Sequence, residues 1–178
     1  MRVVSADEAV AGIRSGQQLY VHGGAATPSV LLAALTARAA ELRDVGVIHL
    51  HTEGPAPHLV PEVAASFRHR ALFIGGNARN AVNEGRADYV PIFLSDIPEL
   101  FMSGALPLDA VLVNVSRPDA HGYCSLGTSV DATLSAIHSA STVIAQLNRA
   151  MPRTLGDSFV RVEQIDLGVE VNEPPHEH

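Results

Sequence analysis

Lysine is missing from this 178-residue chain, and all 12 of its basic residues are arginine. That removes lysine from the catalytic candidates, including the amine of a Schiff base. Cysteine occurs once, as Cys124, which excludes an internal disulfide and fits a reducing compartment. Positive charge is in the minority, with 19 acidic residues and a net charge of -7. General nucleic-acid binders and anionic-membrane binders rely on basic fields, so neither partner is expected. No apolar run approaches the roughly 18 residues of a membrane span. The first seven residues lack the basic-then-apolar pattern of a signal peptide. The expected location is therefore the cytoplasm. An anionic ligand would need local arginines or backbone N–H donors.

What is present is ordinary for a globular chain: 47% hydrophobic residues, 14 Gly and 11 Pro. A single domain of this size buries roughly 70% of its unfolded-chain surface. Short apolar runs alternate with amphipathic stretches. Strands are expected over residues 18–22, 47–51, 71–74, 89–94, 111–115 and 142–147, with short terminal strands at 160–165 and 168–171 outside the main sheet. Helices are expected over 5–14, from Pro28 behind a Thr27 cap, over 62–68, 78–84 and 96–101, and after Ser129 with Asp131 in the first turn. Ser5 and Ser95 are further cap candidates, and Gly16 and Gly85 close two of these helices. This alternation implies an α/β fold with a mostly parallel open sheet flanked by helices. The run Ala110, Val111, Leu112, Val113 has no period-two alternation, as in a strand buried on both faces.

Each expected strand ends in polar or glycine-rich residues: His22-Gly23-Gly24, Thr52-Glu53-Gly54, Gly75-Gly76-Asn77, Ser95-Asp96, Asn114 to Ser116, and Asn148. Loops that follow parallel strands gather on one edge, where open α/β sheets bind ligands. Several specific chemistries fit poorly. Gly23-Gly24-Ala25-Ala26 is not the G-x-G-x-x-G of a dinucleotide site, and there is no P-loop. The segment Gly122 to Gly127 lacks the spacing of a nucleophile elbow. His49 and His51 alternate at strand spacing but lack a third ligand in a familiar pattern, so no metal site is expected. His121 and Cys124 could form a nucleophile pair, although the tight turn from Asp119 to Gly122 favours a structural role. By chemistry alone the chain offers a small anionic-ligand site and no complete catalytic set.

Four segments together resemble one family: VHGGAATP at residues 21–28, AVNEGRADYVPIFLSDIPELF at 81–101, NVSRPDAHGYCSLGTSVD at 114–131 and AQLNRAMPRTLGDSFV at 145–160. They look like the amino-terminal domain of the acetyl-CoA hydrolase/transferase family, nearest to its acetate and 4-hydroxybutyrate CoA-transferases, over residues 1–171. The polar tail at 172–178 would begin an interdomain linker, with a second, catalytic domain outside the chain.

The resemblance implies a CoA-transferase-like domain and a ping-pong exchange of CoA between short-chain acids. A glutamate carboxylate attacks the acyl-CoA thioester, the C–S bond breaks, and an acyl-glutamyl anhydride forms. The CoA thiolate then attacks the glutamyl carbonyl and releases the first acid. The resulting glutamyl-CoA thioester passes CoA to a second carboxylate. Capture of the anhydride by water would instead make an acyl-CoA hydrolase. The family's nucleophile belongs to the second domain, so no catalytic residue is expected here. Glu53, Glu84 and Glu99 match no motif for that role.

By resemblance this chain supplies one wall of the cleft: Gly23, Gly24, Asn114, Ser116, His121, Gly122, Asn148, Met151, Pro152 and Arg153. Arg153 suits a carboxylate or CoA phosphate, and an ordinary ion pair is an equal alternative. The expected ligands are acyl-CoA and a short-chain carboxylate, with coenzyme A as substrate, no tightly bound cofactor and no metal. The expected partners are the second domain, in the same or another chain, and further copies in a homo-oligomer. The alternatives are a non-catalytic subunit or ligand-binding module that needs a partner chain, and a sugar-phosphate isomerase of similar topology.

Overall fold

The computed structural model describes residues 1–177, so His178, the last residue of the expected linker, lies outside the described residues. The strands are β1 (Arg2–Val3), β2 (Gln18–Val21), β3 (Val45–His49), β4 (Phe67–Ala71), β5 (Ala87–Tyr89), β6 (Ala110–Ser116), β7 (Tyr123–Ser125), β8 (Thr142–Asn148), β9 (Phe159–Arg161) and β10 (Leu167–Val171). The helices are α1 (Ala6–Val10), α2 (Ser29–Ala37), α3 (Arg79–Asn83), α4 (Ile97–Met102) and α5 (Thr133–Ser139). Among the described residues, eight strands form one sheet in the order β1-β10-β8-β6-β2-β3-β4-β5. Every pairing in it is parallel. β7 and β9 pair antiparallel as a separate ribbon.

The chain winds outward from β2 through β3, β4 and β5, then returns to the other side of β2 as β6 and continues through β8 to β10. The order reverses between β2 and β6, and at such a switch point the loops leave in opposite directions and open a crevice. β6 is buried along all seven residues, as its unbroken apolar run predicts. Its side chains alternate between two cores. Val111, Val113 and Val115 meet α4 and α5 residues such as Phe101 and Ile137, while Ala110 and Leu112 join Leu31, Leu35 and Val10 from α1 and α2. A third, small cluster of Leu59, Ala78, Ala81 and Ala87 lies near the β5 edge.

Several boundaries differ from the sequence expectation for identifiable reasons. Gly46, just before the expected strand, lies inside β3 opposite Gln18, whose side chain packs where a Cβ would stand. β3 thus runs two residues earlier, and His51 lies beyond it. The expected helix over 62–68 is replaced by two short 3-10 turns, Pro57–Leu59 and Pro61–Val63. Phe67, His69 and Ala71 instead alternate as the buried side of β4, with a histidine in an apolar position. β5 stops before Pro91, which has no N–H for a ladder. β10 is not outside the sheet but pairs residue for residue with Ile144 to Asn148, and β1, missed in the sequence, pairs with β10.

The helix caps also differ. Ser5 accepts from the Glu8 N–H at 3.2 Å and Glu8 Oε2 accepts from the Ser5 N–H at 3.0 Å, a reciprocal capping box for α1. α1 ends at Val10, so Gly16 with its φ of 80° makes a later turn rather than closing the helix. Thr27 does not cap α2, because its hydroxyl donates to the Gly24 carbonyl and accepts from the Glu53 N–H. The first turn of α2 is satisfied from the sheet, where Gln146 Oε1 accepts from the Leu31 N–H at 3.1 Å. Ser95 caps nothing and hydrogen-bonds to Asp96 instead. At α5 the N-cap position is Ala132 rather than Ser129, and the preceding Asp131 accepts from the first helical N–H, that of Thr133, through Oδ1 at 2.9 Å.

The tail expected to behave as a linker is held to the domain as far as it is described. Asn148 Nδ2 donates to the Glu173 carbonyl at 2.8 Å, and Ser29 Oγ and His176 Nε2 lie 2.7 Å apart.

Candidate functional site

The crevice at the switch point is walled by the ends of β2 and β6. His22, which follows β2 there, is completely buried. The Asn114 N–H donates to its Nδ1 at 3.3 Å, and its Nε2 lies 2.6 Å from the Ser129 carbonyl. Burial pushes the His22 imidazole below its ordinary value, despite the opposing Asp131 charge and these backbone contacts. The ring is therefore neutral at pH 7 and ties three loops together.

Gly23 and Gly24 are buried beside it. A Cβ on Gly23 would stand 2.7 Å from the His51 carbonyl, and one on Gly24, at a φ of 56°, would stand 2.7 Å from Ser129 Oγ. The Gly24 N–H donates to the His51 carbonyl at 2.8 Å. Both glycines thus serve close packing of the β2, β3 and α5 loops. Asp131 completes this knot, because its Oδ1 also accepts from the Tyr20 hydroxyl at 2.9 Å. Desolvation, then the Asp131 charge, raises the Tyr20 phenol well above its ordinary value, so it remains a donor.

A second group of expected wall residues gathers around Asp119. Its carboxylate accepts from the N–H groups of Tyr123 and His121 at 2.9 Å, and from Arg153 at 2.9 Å. The two backbone donors, chiefly Tyr123, hold Asp119 below the usual carboxylate range, with Arg153 adding to them. Arg153 also donates to the Tyr123 carbonyl and lies 5.4 Å over the Phe159 ring. Its guanidinium is therefore engaged in an ion pair, the alternative weighed for it from sequence. Gly122, at a φ of 79°, turns the chain into β7. His121 is exposed on that turn. Cys124 faces the core from β7, and burial pushes its thiol up to about 11. A neutral, buried thiol does not serve as a nucleophile at pH 7.

The third group follows β8. Asn148 stands opposite Ser116 in the β6–β8 register, and its Oδ1 accepts from the Ala150 N–H at 3.0 Å. Met151 is buried against Gly127, while Pro152 is exposed. Ser116 Oγ accepts from the Ser125 N–H at 2.8 Å and lies 3.4 Å from Arg153, joining the second and third groups. All ten expected residues thus lie at or beyond the carboxyl edge of the sheet. Most of their polar atoms bond to neighbouring loop residues such as Asp119, Tyr123, His51 and Glu173, and Ser116–Arg153 and Met151–Asn148 join members of the set directly.

One polar side chain at this edge is left over. Asn114 is 4% exposed, and its Oδ1 has no hydrogen-bond partner among the described residues. A buried amide oxygen without a donor is costly unless a ligand or water supplies one. Next to the rim, a cavity of about 400 Å³ is lined by Leu50, His51, Leu72, Phe73, Ile92, Leu94 and Ile97. It is apolar apart from His51, and Phe73 and Leu94 are 60% and 61% exposed beside it.

Sequence reasoning missed Gln146 and the bonds made by His22 and Asp131, because each acts on a segment about a hundred residues away. It also missed the partners of His49. That ring lies 2.9 Å from His69, which lies 3.2 Å from His58, while His51 stands outside the group. Burial and the neighbouring His69 push His58 down to about 3, and burial pushes His69 down to about 4. A lone histidine in a proline-rich loop gave no spacing that pointed to this cluster.

Comparison with known proteins gives a consistent result. The acetyl-CoA hydrolase/transferase N-terminal domain profile matches residues 1–176. A succinyl-CoA:acetate/propanoyl-CoA:succinate CoA transferase of Fasciola hepatica is 44% identical over 96% of this chain and 36% of its own length. A 4-hydroxybutyrate coenzyme A transferase of Clostridium kluyveri is 41% identical over 97% of this chain and 40% of its own length. Among solved structures, a 4-hydroxybutyrate CoA-transferase of Porphyromonas gingivalis superposes with a TM-score of 0.83 at 31% identity, over 99% of this chain and 41% of that one. A variant of the decarboxylase AibA/AibB shares the fold alone, with a TM-score of 0.66 at 19% identity, over 96% of this chain and 83% of that one. The chain spans about two fifths of the length of the curated relatives it matches.

Proposed function

Since this chain belongs to the acetyl-CoA hydrolase/transferase family and corresponds to its N-terminal domain, we propose that it is one half of a CoA-transferase that moves CoA between short-chain acyl-CoA and carboxylic acids. The remaining part supplies the nucleophilic glutamate, which forms the anhydride and then the glutamyl-CoA thioester. This half supplies a wall of the cleft. The observation that carries the reading is buried Asn114 at the switch point, whose amide oxygen has no partner among the described residues.

In the cleft, Asn114 contacts the substrate, and Gly23 and Gly24 keep the floor flat beside it. Ser116, Asn148 and Met151 brace that floor from β6 and the β8 loop. The His121–Gly122 turn and the Pro152–Arg153 loop stand at its margin, where they meet the other half. The apolar cavity beside His51 takes the carbon chain of the acyl group, a use consistent with its size and lining. The enzyme acts in the cytoplasm, with CoA as substrate and no tightly bound cofactor. Water reaching the anhydride accounts for a hydrolase side reaction. The exposed apolar side chains Phe73, Phe93 and Leu94 support contact with the second half or with another copy.

The chain alone lacks a nucleophile in a matching motif and should show no turnover. Isolated chain incubated with acetyl-CoA and propionate should release no propionyl-CoA, whereas chain joined to the downstream half should. Robust exchange by the isolated chain would overturn the division of labour. A second reading, in which the other half is a separate polypeptide, is favoured by the AibA/AibB likeness, where the fold makes up most of one chain. A stop codon after residue 178 followed by a second α/β gene supports that arrangement, and a continuing frame removes it.

A further inference from the structure

Three imidazoles from separate stretches of the chain converge below the rim, on the α2 side of the sheet. His49 ends β3, His69 is the middle residue of β4, and His58 sits in the Pro57–Leu59 turn packed over both α2 and β4. Each residue is 1% exposed. His49 Nε2 is 2.9 Å and His58 Nε2 is 3.2 Å from one and the same atom, His69 Nδ1. The three rings each offer one such nitrogen, all within 4.8 Å of one another.

Hydrogen bonding within the trio does not account for this arrangement. A ring nitrogen carries either one proton or one lone pair in the ring plane, so His69 Nδ1 can complete one hydrogen bond and not two. The outward nitrogens, His49 Nδ1, His58 Nδ1 and His69 Nε2, have no partner among the described residues. Whichever tautomers are chosen, one inward contact is left unmade.

A water molecule at the centre fits poorly too. Three hydrogen bonds of about 2.8–2.9 Å at tetrahedral angles would hold the nitrogens about 4.6 Å apart. The two contacts measured are 2.9 and 3.2 Å. A tetrahedral cation with metal–nitrogen bonds of about 2.0–2.1 Å sets nitrogen–nitrogen edges of about 3.3–3.4 Å. The two close contacts reach that spacing with shifts of a few tenths of an ångström, and the third edge, His49 to His58, lies within 4.8 Å.

The geometry points to a binding site for a borderline-soft divalent cation of the zinc type, held by His49 Nε2, His58 Nε2 and His69 Nδ1. An all-imidazole set suits zinc or a neighbouring transition metal, and not magnesium or calcium, which take oxygen ligands. Three protein ligands leave a fourth position for water or hydroxide. The outward nitrogens then become N–H donors, no worse partnered than in the metal-free rings. The ion would cross-link β3, β4 and the 57–63 loop, two residues before His51 and the start of the rim. It is a clamp beside the proposed cleft and independent of the transferase reading.

The test uses the protein stripped with chelator and dialysed, with Zn²⁺ as the probe. One Zn²⁺ should bind per chain and raise the unfolding temperature. X-ray absorption at the zinc edge should show three imidazoles at about 2.0–2.1 Å. His58→Leu, in a turn outside the sheet, should weaken uptake by about 100-fold or more. His51→Ala and His176→Ala should retain it. No stoichiometric uptake, fewer than three imidazoles in the absorption spectrum, or wild-type affinity in His58→Leu would overturn the assignment. Should His58→Leu fail to fold, the wild-type absorption spectrum decides by itself.

Discussion

Arg153 donates to Asp119 across 34 residues of sequence at 2.9 Å, and the pair holds the β7 turn against the loop that follows β8. Both side chains are about one third exposed. The guanidinium that suggested from sequence an anchor for an anionic ligand thus also pairs within the fold. Arg153→Met should leave the secondary structure intact and lower the thermal midpoint by a few degrees. The difference should shrink in high salt, as expected for a partly exposed ion pair. Differential scanning fluorimetry across a salt series checks it, and a salt-independent loss would point to packing on Phe159 instead.

The two rim glycines should respond more strongly than glycines with open space around them. Gly23→Ala places a methyl 2.7 Å from the His51 carbonyl, a backbone atom that cannot turn aside. A loss of about 1–3 kcal/mol is expected, as for overpacking. Gly76→Ala meets nothing within 4 Å and has no unusual φ, so it should be neutral or slightly stabilising. Urea unfolding of the two variants side by side separates local crowding from general loss of flexibility.

Tyr20→Phe removes one donor from Asp131 Oδ1, which keeps its bonds from Thr133. A cost of about 1–2 kcal/mol is expected, since the lost bond is to a charged acceptor. Thr133→Val should cost more when combined with Tyr20→Phe than the two single losses predict, because both donors serve the same oxygen. A double-mutant cycle by chemical denaturation measures that coupling.

Acid should destabilise the metal-free protein earlier than carboxylate titration alone would. His22, His49, His58 and His69 are all buried, and burial lowers each below the ordinary 6.5. The unfolded chain therefore binds more protons than the folded one below about pH 6.5, and stability falls as pH falls. The loss continues down to the folded values, about 4 for His69 and about 3 for His58. Each histidine in this window contributes a slope approaching about 1.4 kcal/mol per pH unit. Urea midpoints between pH 7 and pH 4.5 should show a slope steeper than one histidine explains, and a flat profile would contradict the buried neutral state.

Asn148→Ala should free the tail. Its amide bonds both the carbonyl and the N–H of Glu173, at 2.8 and 3.2 Å. Limited proteolysis should cut after residue 171 faster in the variant, with the domain otherwise intact. Equal cleavage rates would mean that the Ser29–His176 contact holds the tail by itself.

Those parts of the fold that rest on local chemistry were legible in the sequence. The unbroken apolar run of β6 requires burial on both faces, and the alternation of such runs with short amphipathic helices requires parallel crossover packing. Glycines and polar residues at the strand ends pointed to the candidate edge. Tertiary structure decided whatever depends on contacts distant along the chain. It placed β10 in the sheet beside β8, bonded Gln146 to the first turn of α2, paired Arg153 with Asp119 and brought His58 and His69 to His49. A histidine or arginine carries no local mark of the partner it will meet. Burial, geometry and charge choose that partner only after the sheet has closed around it.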